Sequence, residues 1–426
     1  MYEGRMSDTT LPPQSRKTAH AIIFAAVVIF AAFSFLGFAA YRSGARGALP
    51  AESIGGGSQN PSPAAEPEPK PEKIRHVPMP DEVRGIYWTA QTAGGERGQE
   101  LLAYMKRYGL NTAVIDLKMD NGELAFDPHS DAMKATVMDD PVIRDLDALL
   151  HKLADEDIYR IARIAVMRDG AFAKIHPELA LKRAGGGIWK DNIGSIWLDP
   201  AADEPRLYGI ELAREAYKRG FDEIQFDYVR FPSDGAIGAI QYPIWSQTTS
   251  TKVQVMQDFF AEVGGTLARE GIPVSFDVFG MTFISLSDFN IGQRLADVYP
   301  YADAISPMAY PSHYPNMFRG YPNPSLVPYE IVKLTLDEGA RIMENLYGVP
   351  EEESRPKFRP WLQDFDIGAV YTPERIEAQI RATRDAGASG WLLWNARNVY
   401  EPANYLPPKE TEIRKRDEEK NAPILE

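Results

Sequence analysis

From Val83 onward, short apolar runs recur along the chain, most of them separated by stretches in which apolar residues return every three or four positions. The runs have the character of buried strands and the stretches that of amphipathic helices, so the pattern predicts repeated βα units. The strands are expected at Val83–Trp88, Thr112–Leu117, Tyr159–Val166, Asp222–Tyr228, Pro273–Val278, Ala304–Met308, Arg359–Leu362 and Gly390–Trp394, eight in all. Between them, Asp140-Pro141 offers an N-cap and a first-turn proline ahead of Ile143, Leu146, Leu150 and Leu153, and Thr372-Pro373 repeats the device ahead of Ile376 and Ile380. Glycines at 109, 220, 271 and 387 stand where these helices should stop. The expected fold is α/β, a (β/α)8 TIM barrel rather than an open doubly wound sheet.

The fourth run carries the strongest chemical signal. In Gly220-Phe221-Asp222-Glu223-Ile224-Gln225-Phe226-Asp227-Tyr228, Ile224, Phe226 and Tyr228 alternate with Glu223, Gln225 and Asp227, and Pro232 forbids further ladder pairing beyond the loop. Asp227 therefore shares a face with Gln225 and arrives at the C-terminal mouth, where barrel enzymes place their chemistry. The plainer reading is a strand-end aspartate that caps a loop or pairs with Arg230. Between the third and fourth runs, residues 172–199 break the βα rhythm with His176-Pro177, the triplet Gly185-Gly186-Gly187 and Ile196-Trp197-Leu198-Asp199-Pro200. This segment reads as an inserted loop or hairpin over the mouth, since the triplet lacks the Lys-Ser/Thr ending of a phosphate loop.

The N-terminal part is different in kind. From Ala19 through Ala40 there is no charged residue, and the run matches the roughly 20 residues a helix needs to cross a bilayer. It is longer than the apolar region of a secretory signal, so an uncleaved anchor is expected, although Ala45-Arg46-Gly47-Ala48 resembles a cleavage site. Arg5, Arg16 and Lys17 precede the span while Arg42 and Arg46 follow it, a weak bias that leaves the large C-terminal part outside the cytoplasm. The organisation expected is a cytoplasmic tail (1–18), a transmembrane anchor (19–41), a Pro/Gly/Ser-rich linker (42–80), the barrel domain (81–408) and a charged tail (409–426). Residues 42–80 cannot bury enough apolar area to offset the entropy of ordering.

Composition narrows the chemistry. The chain has 426 residues and no cysteine, which removes disulfides, thiolate metal sites and a catalytic thiol. A formal net charge of −14 argues against nucleic acid as a partner. No HxH or HExxH pattern is present, so neither a catalytic metal nor another cofactor is expected.

The predicted strand ends are rich in carboxylates and aromatics. Cleavage of a glycosidic bond needs one carboxylic acid to protonate the leaving oxygen and a second carboxylate as nucleophile or base. Asp227, Asp277 and Asp364 are the catalytic candidates. Asp116, Lys118, Gln225, Arg230, His313, Gln363 and Asn395 are the polar candidates for substrate binding, and Trp88, Tyr228, Phe279, Tyr310, Trp361 and Trp394 could supply flat faces for sugar rings. Any one of these aromatics could equally fill an ordinary core.

The strings VRGIYWTA, GFDEIQFDYVRFPSDG, SFDVFGM, ISPMAYPSHY, RPWLQDF and GWLLWNA together resemble the glycoside hydrolase domain family known as DUF4015, over roughly Val83 to Pro407. The resemblance implies a TIM barrel of the glycosidase type in a membrane-anchored or secreted setting. Related barrel glycosidases often place a catalytic carboxylate at the end of strand four, matched here by Asp227. No glutamate occupies the corresponding slot of strand four or five. The expectation is a membrane-anchored extracytoplasmic glycoside hydrolase acting on a polysaccharide or oligosaccharide. A noncatalytic glycan-binding barrel and a structural envelope protein are the alternatives.

Overall fold

The computed structural model describes residues 74–411. The anchor and N-terminal tail expected within residues 1–41 lie outside the described residues, as does most of the linker. Among the described residues no helix is long and apolar enough to cross a membrane.

Eight parallel strands close into a barrel in sequence order: β1 (Val83–Trp88), β2 (Thr112–Lys118), β3 (Tyr159–Ala165), β4 (Glu223–Asp227), β5 (Val274–Phe279), β6 (Ala304–Met308), β7 (Trp361–Gln363) and β8 (Gly390–Trp394), with β8 pairing back to β1. Each expected strand is present: β1, β6 and β8 have the expected bounds, and the ends of the other five are displaced by a residue or two. The largest displacement is at β7, where Pro360 has no N–H for the ladder and pairing begins at Trp361.

The long outer helices are α1 (Glu96–Tyr108), α2 (Leu146–Asp155), α3 (Asp203–Arg219), α4 (Lys252–Arg269), α5 (Pro328–Tyr347) and α6 (Pro373–Asp385). Glycine closes α1 and α3 as expected: Gly109 and Gly220 adopt φ of 74° and 117°, a region costly for any residue with a Cβ. A capping box of Thr251 and Gln254 opens α4. One cap differs from expectation. Helix α2 begins at Leu146 with Asp145 as its N-cap, not at Asp140-Pro141. The Ile143 amide is instead drawn to the Ala125 carbonyl at 2.9 Å, which holds the preceding segment in a non-helical path while Ile143 itself stays buried.

Residues 172–199 form the expected excursion. Antiparallel bridges join Ala180 to Leu198, Lys182 to Ile188 and Lys190 to Ile196, and Lys182–Arg183 pairs with Ile240–Gln241 of the segment after β4.

Alternation along the strands sorts side chains into two cores. Ile86, Trp88, Ile115, Ile164, Phe226, Phe276, Leu362 and Leu393 belong to the layer between strands and helices. Val83, Tyr87, Val114, Tyr159, Ile161, Trp361 and Leu392 fill the barrel interior. The opposite, N-terminal end of the barrel is strapped by the chain that leads into β1. Arg75 Nη1 donates to the Ala154 carbonyl at 2.7 Å, the Val77 amide to Asp222 Oδ1 at 2.7 Å, and Arg160 Nη2 to the Arg75 carbonyl at 2.7 Å. The His76 ring stacks on Tyr217 at 4.3 Å.

Candidate active site

Period-two geometry determines which residues reach the mouth. On β4 the inward set is Glu223, Gln225 and Asp227, and on β5 it is Ser275, Asp277 and Phe279, so each strand rises from a polar floor to an acidic rung. The β4–β5 ladder pairs Gln225 with Ser275 and Phe226 with Phe276; the next rung carries Asp227 and Asp277. Adjacent strands lie about 4.8 Å apart, so these two carboxyl groups are lateral neighbours on the inner wall.

Their surroundings differ sharply. Asp227 Oδ2 is ion-paired to Arg163, at 2.5 Å from Nη2 and 3.2 Å from Nε, and its Oδ1 accepts the Tyr228 amide at 2.5 Å. Asp277 is 1% exposed and accepts the indole N–H of Trp361 on Oδ1 at 2.7 Å. Burial, reinforced by the neighbouring Asp227 charge, holds the Asp277 carboxyl well above the usual carboxylate range. One strand end thus presents an ion-paired carboxylate and the next a buried carboxyl group whose surroundings favour the protonated form.

Arg163 organises the remainder. Its Nη1 donates to Asp116 Oδ1 at 2.5 Å and its Nη2 to Asp120 Oδ1 at 3.1 Å. Burial acts against the Arg163 charge, but Asp116, Asp227 and Asp120 outweigh it and drive its pKa upward. Burial also pushes Asp116 up to about 6, against the opposing pull of Arg163; Asp116 accepts the Tyr87 hydroxyl as well. Asp120 accepts from Arg168 at 3.2 Å and from the Tyr228 hydroxyl at 3.1 Å. Tyr228 has φ of +53°, an uncommon conformation for a bulky residue and one that costs on the order of 1–3 kcal/mol. Arg168 donates to its hydroxyl at 2.6 Å, and Trp197 packs edge-on against its ring. The turn that immobilises Tyr228 also aims Asp227.

Arg163, Arg168 and Asp120 were not expected from sequence. The available signal for Arg163 was parity, since it shares the inward face of β3 with Tyr159 and Ile161. Nothing comparable marks Asp120 or Arg168, which lie beyond their strands.

Aromatic faces line the mouth on three sides. Tyr87 and Trp394 stack at 4.0 Å with planes 22° apart, and Trp361 meets Trp394 edge-on at 5.4 Å. Arg230 lies 4.7 Å above the Phe279 ring and 4.9 Å from Trp197. Tyr310 contacts His313 and Phe365 edge-on, and burial lowers the His313 imidazole to about 3, leaving it neutral.

Several expected site residues lie elsewhere. Trp88 points outward, is fully buried in the layer beneath the helices, and packs close to Gly98 of α1. Asp364 follows the inward Gln363 and so falls on the other face. Its carboxyl group accepts the Glu401 amide at 3.3 Å, and the charged groups that bear on it are Glu401, Asp366 and Arg397 rather than Asp227 or Asp277. Lys118 is committed to an ion pair with Asp169 at 2.7 Å and to the Ala165 carbonyl. Gln363 ties down the loops after β6 and β7 through the Ser312 amide and the Phe365 and Ile367 carbonyls. Asn395 does the same for the turn after β8, bonding the Asp364 and Val399 carbonyls. Gln225 lies deep, bonded to Ser306 at 3.2 Å. Among the described residues no group of three or more His, Asp or Glu is arranged to hold a metal ion.

A family profile described as "Putative glycosyl hydrolase domain" (DUF4015) matches residues 85–400. Among solved structures, a hypothetical protein from Ruminiclostridium thermocellum is 32% identical, over 45% of this chain and 97% of its own, with a TM-score of 0.39. The PgaB (BpsB) glycoside hydrolase domain from Bordetella bronchiseptica is similar in fold, with a TM-score of 0.51 at 13% identity over 78% of this chain and 98% of that one. The glycoside hydrolase domain of PelA from Pseudomonas aeruginosa gives a TM-score of 0.40 at 14% identity, over 74% and 96% of the two chains. No curated protein matches the sequence.

Proposed function

Because this chain belongs to the DUF4015 glycosyl hydrolase domain family, we propose that it hydrolyses glycosidic bonds of a polysaccharide, with Asp227 as nucleophile or base and Asp277 as general acid. One observation carries the assignment: two inward carboxyl groups lie on adjacent strand ends, one ion-paired to Arg163 and the other buried beside it, where burial and the neighbouring charge raise its pKa. Opposed environments of this kind separate an acid from a base in one site. In the reaction Asp277 gives its proton to the leaving glycosidic oxygen. Asp227 attacks the anomeric carbon or takes a proton from the attacking water. Arg163 orients Asp227, and the Tyr87–Trp394 stack offers an apolar face for a sugar ring.

The setting belongs to the same proposal. The uncharged run within residues 19–41 serves as a single membrane span, and the barrel works outside the cytoplasm. A second reading, a glycan-binding barrel without turnover, is favoured by one fact: Asp277 is 1% exposed, so substrate must displace part of its cover to reach it.

A depolymerisation screen of the full chain against a broad glycan panel decides between them. Hydrolysis of a responsive glycan, with Asp227→Asn and Asp277→Asn each folded and reduced at least about 100-fold in kcat, is the expected result. Binding without released product identifies the second reading, and undiminished turnover by Asp227→Asn defeats the assignment.

A further inference from the structure

Beneath the mouth, the barrel interior holds an ion pair that takes no part in the chemistry proposed above. Glu223 and Arg359 enter from β4 and from the residues leading into β7, one inward position below Gln225 and Trp361. Both are at most 1% exposed. Arg359 Nη1 donates to Glu223 Oε2 at 3.0 Å, and its Nη2 donates to Glu223 Oε1. Tyr159 and Ser275 complete the cradle with hydroxyl hydrogen bonds to the same carboxylate, at 3.1 and 2.5 Å. Such a pair adds little stability over packed hydrocarbon, whereas losing either member leaves a buried charge uncompensated. Its position gives it another consequence.

Asp277 stands one inward position above Ser275, the residue that donates to Glu223. The groups that bear on it come from every neighbouring wall: Asp227 on β4, Arg163 on β3, Trp361 and Arg359 on or beside β7, and Tyr310 after β6. Burial and Asp227 favour its protonated form. Arg163, the Trp361 indole and Arg359 favour the ionised one. Arg163 is already shared among three carboxylates. Arg359 is spent, through both Nη atoms, on Glu223. A bidentate pair acts on its surroundings as a dipole, whose field falls faster with distance than that of a lone cation.

We propose that Glu223 is a positioning residue for the general acid: by holding the Arg359 guanidinium in a closed pair, it prevents that cation from ionising Asp277. The inference rests on the reading of Asp277 as the acid, but its test needs no substrate. In the full chain, the infrared carbonyl band of a protonated Asp277 is identified by its absence from Asp277→Asn and followed as a function of pH, with circular dichroism as the check of folding. Glu223→Gln leaves Arg359 unpaired and is expected to lower the midpoint by about one pH unit or more. Arg359→Gln removes the cation and is expected to move the midpoint upward, or to leave the band in place at the highest pH at which the protein stays folded.

Either folded single variant with a midpoint within about 0.2 pH unit of the parent overturns the proposal, as does the lack of any protonated Asp277 band in the parent. Should both singles fail to fold, the double variant Glu223→Gln/Arg359→Gln removes the charges together and must leave the midpoint nearly unchanged; a displacement of about one unit overturns the proposal. The failure of the catalytic reading is a separate event. There the band would shift as described while Asp277→Asn kept its turnover.

Discussion

Arg163 Nη2 and Asp227 Oδ2 meet at 2.5 Å, joining neighbouring strands across the inner wall of the barrel. The same guanidinium also balances Asp116 and Asp120, so it is the shared cation for three carboxylates. Arg163→Met should therefore destabilise the fold by about 3–5 kcal/mol, because it leaves buried carboxylates without a counter-charge. Arg163→Lys should recover much of that stability and little of the activity, since an ammonium lacks the fork that reaches Asp116 and Asp227 at once. Thermal melts and kcat for the two variants check this; a lysine variant with parental kcat would show that Arg163 does not orient Asp227.

Asp364 gives a prediction for stability. Burial pushes its carboxyl up to about 8, with the Glu401 amide acting in the opposite sense. A folded-state pKa above the unfolded value means the proton is bound more tightly in the fold. The stability this supplies is complete below about pH 4 and is lost as pH rises toward 8. Asp364→Asn, which mimics the protonated form, should thus be stabilising relative to the parent by an amount that grows between pH 5 and pH 8, by up to about 1.4 kcal/mol per pH unit. Denaturant melts across that range measure it. A pH-independent difference would mean that Asp364 ionises freely in the folded protein.

The Tyr87–Trp394 stack should govern binding more than turnover. Trp394 is partly exposed at the mouth, with Arg163 5.3 Å from its ring. Trp394→Ala removes one plane of the stack and should cost about 1 kcal/mol of glycan affinity, roughly a fivefold rise in Kd, with a smaller effect on kcat. Isothermal titration with the responsive glycan reads the first quantity and initial rates the second. An unchanged Kd would place the sugar elsewhere.

The strands were legible because β-period alternation and glycine or proline punctuation agree at most units, and that agreement put Asp227 at the mouth and Asp277 on the adjacent strand. Expectation and structure parted at the residues immediately after the inward ones. Tyr87 points in and Trp88 points out; Gln363 points in and Asp364 points out. A shift of one residue exchanges the two faces of a strand, and at a strand end, where the run breaks off, apolar patterning no longer tells which neighbour is which. Arg163 is illegible in the sequence for a different reason. The run Tyr159-Arg160-Ile161-Ala162-Arg163 carries two arginines of opposite parity, and both are buried, one on Asp222 outside the barrel and one on Asp227 within it. The partners that make each tolerable come from other strands, which local sequence does not show.

The strap at the base has a mechanical consequence. Because Arg75 and Val77 are tied to the barrel's N-terminal end, the first described residues lie at the pole opposite Asp227. If the tether proposed above lies upstream, it joins the barrel at that pole and leaves the strand ends that carry Asp227 and Asp277 on the far side.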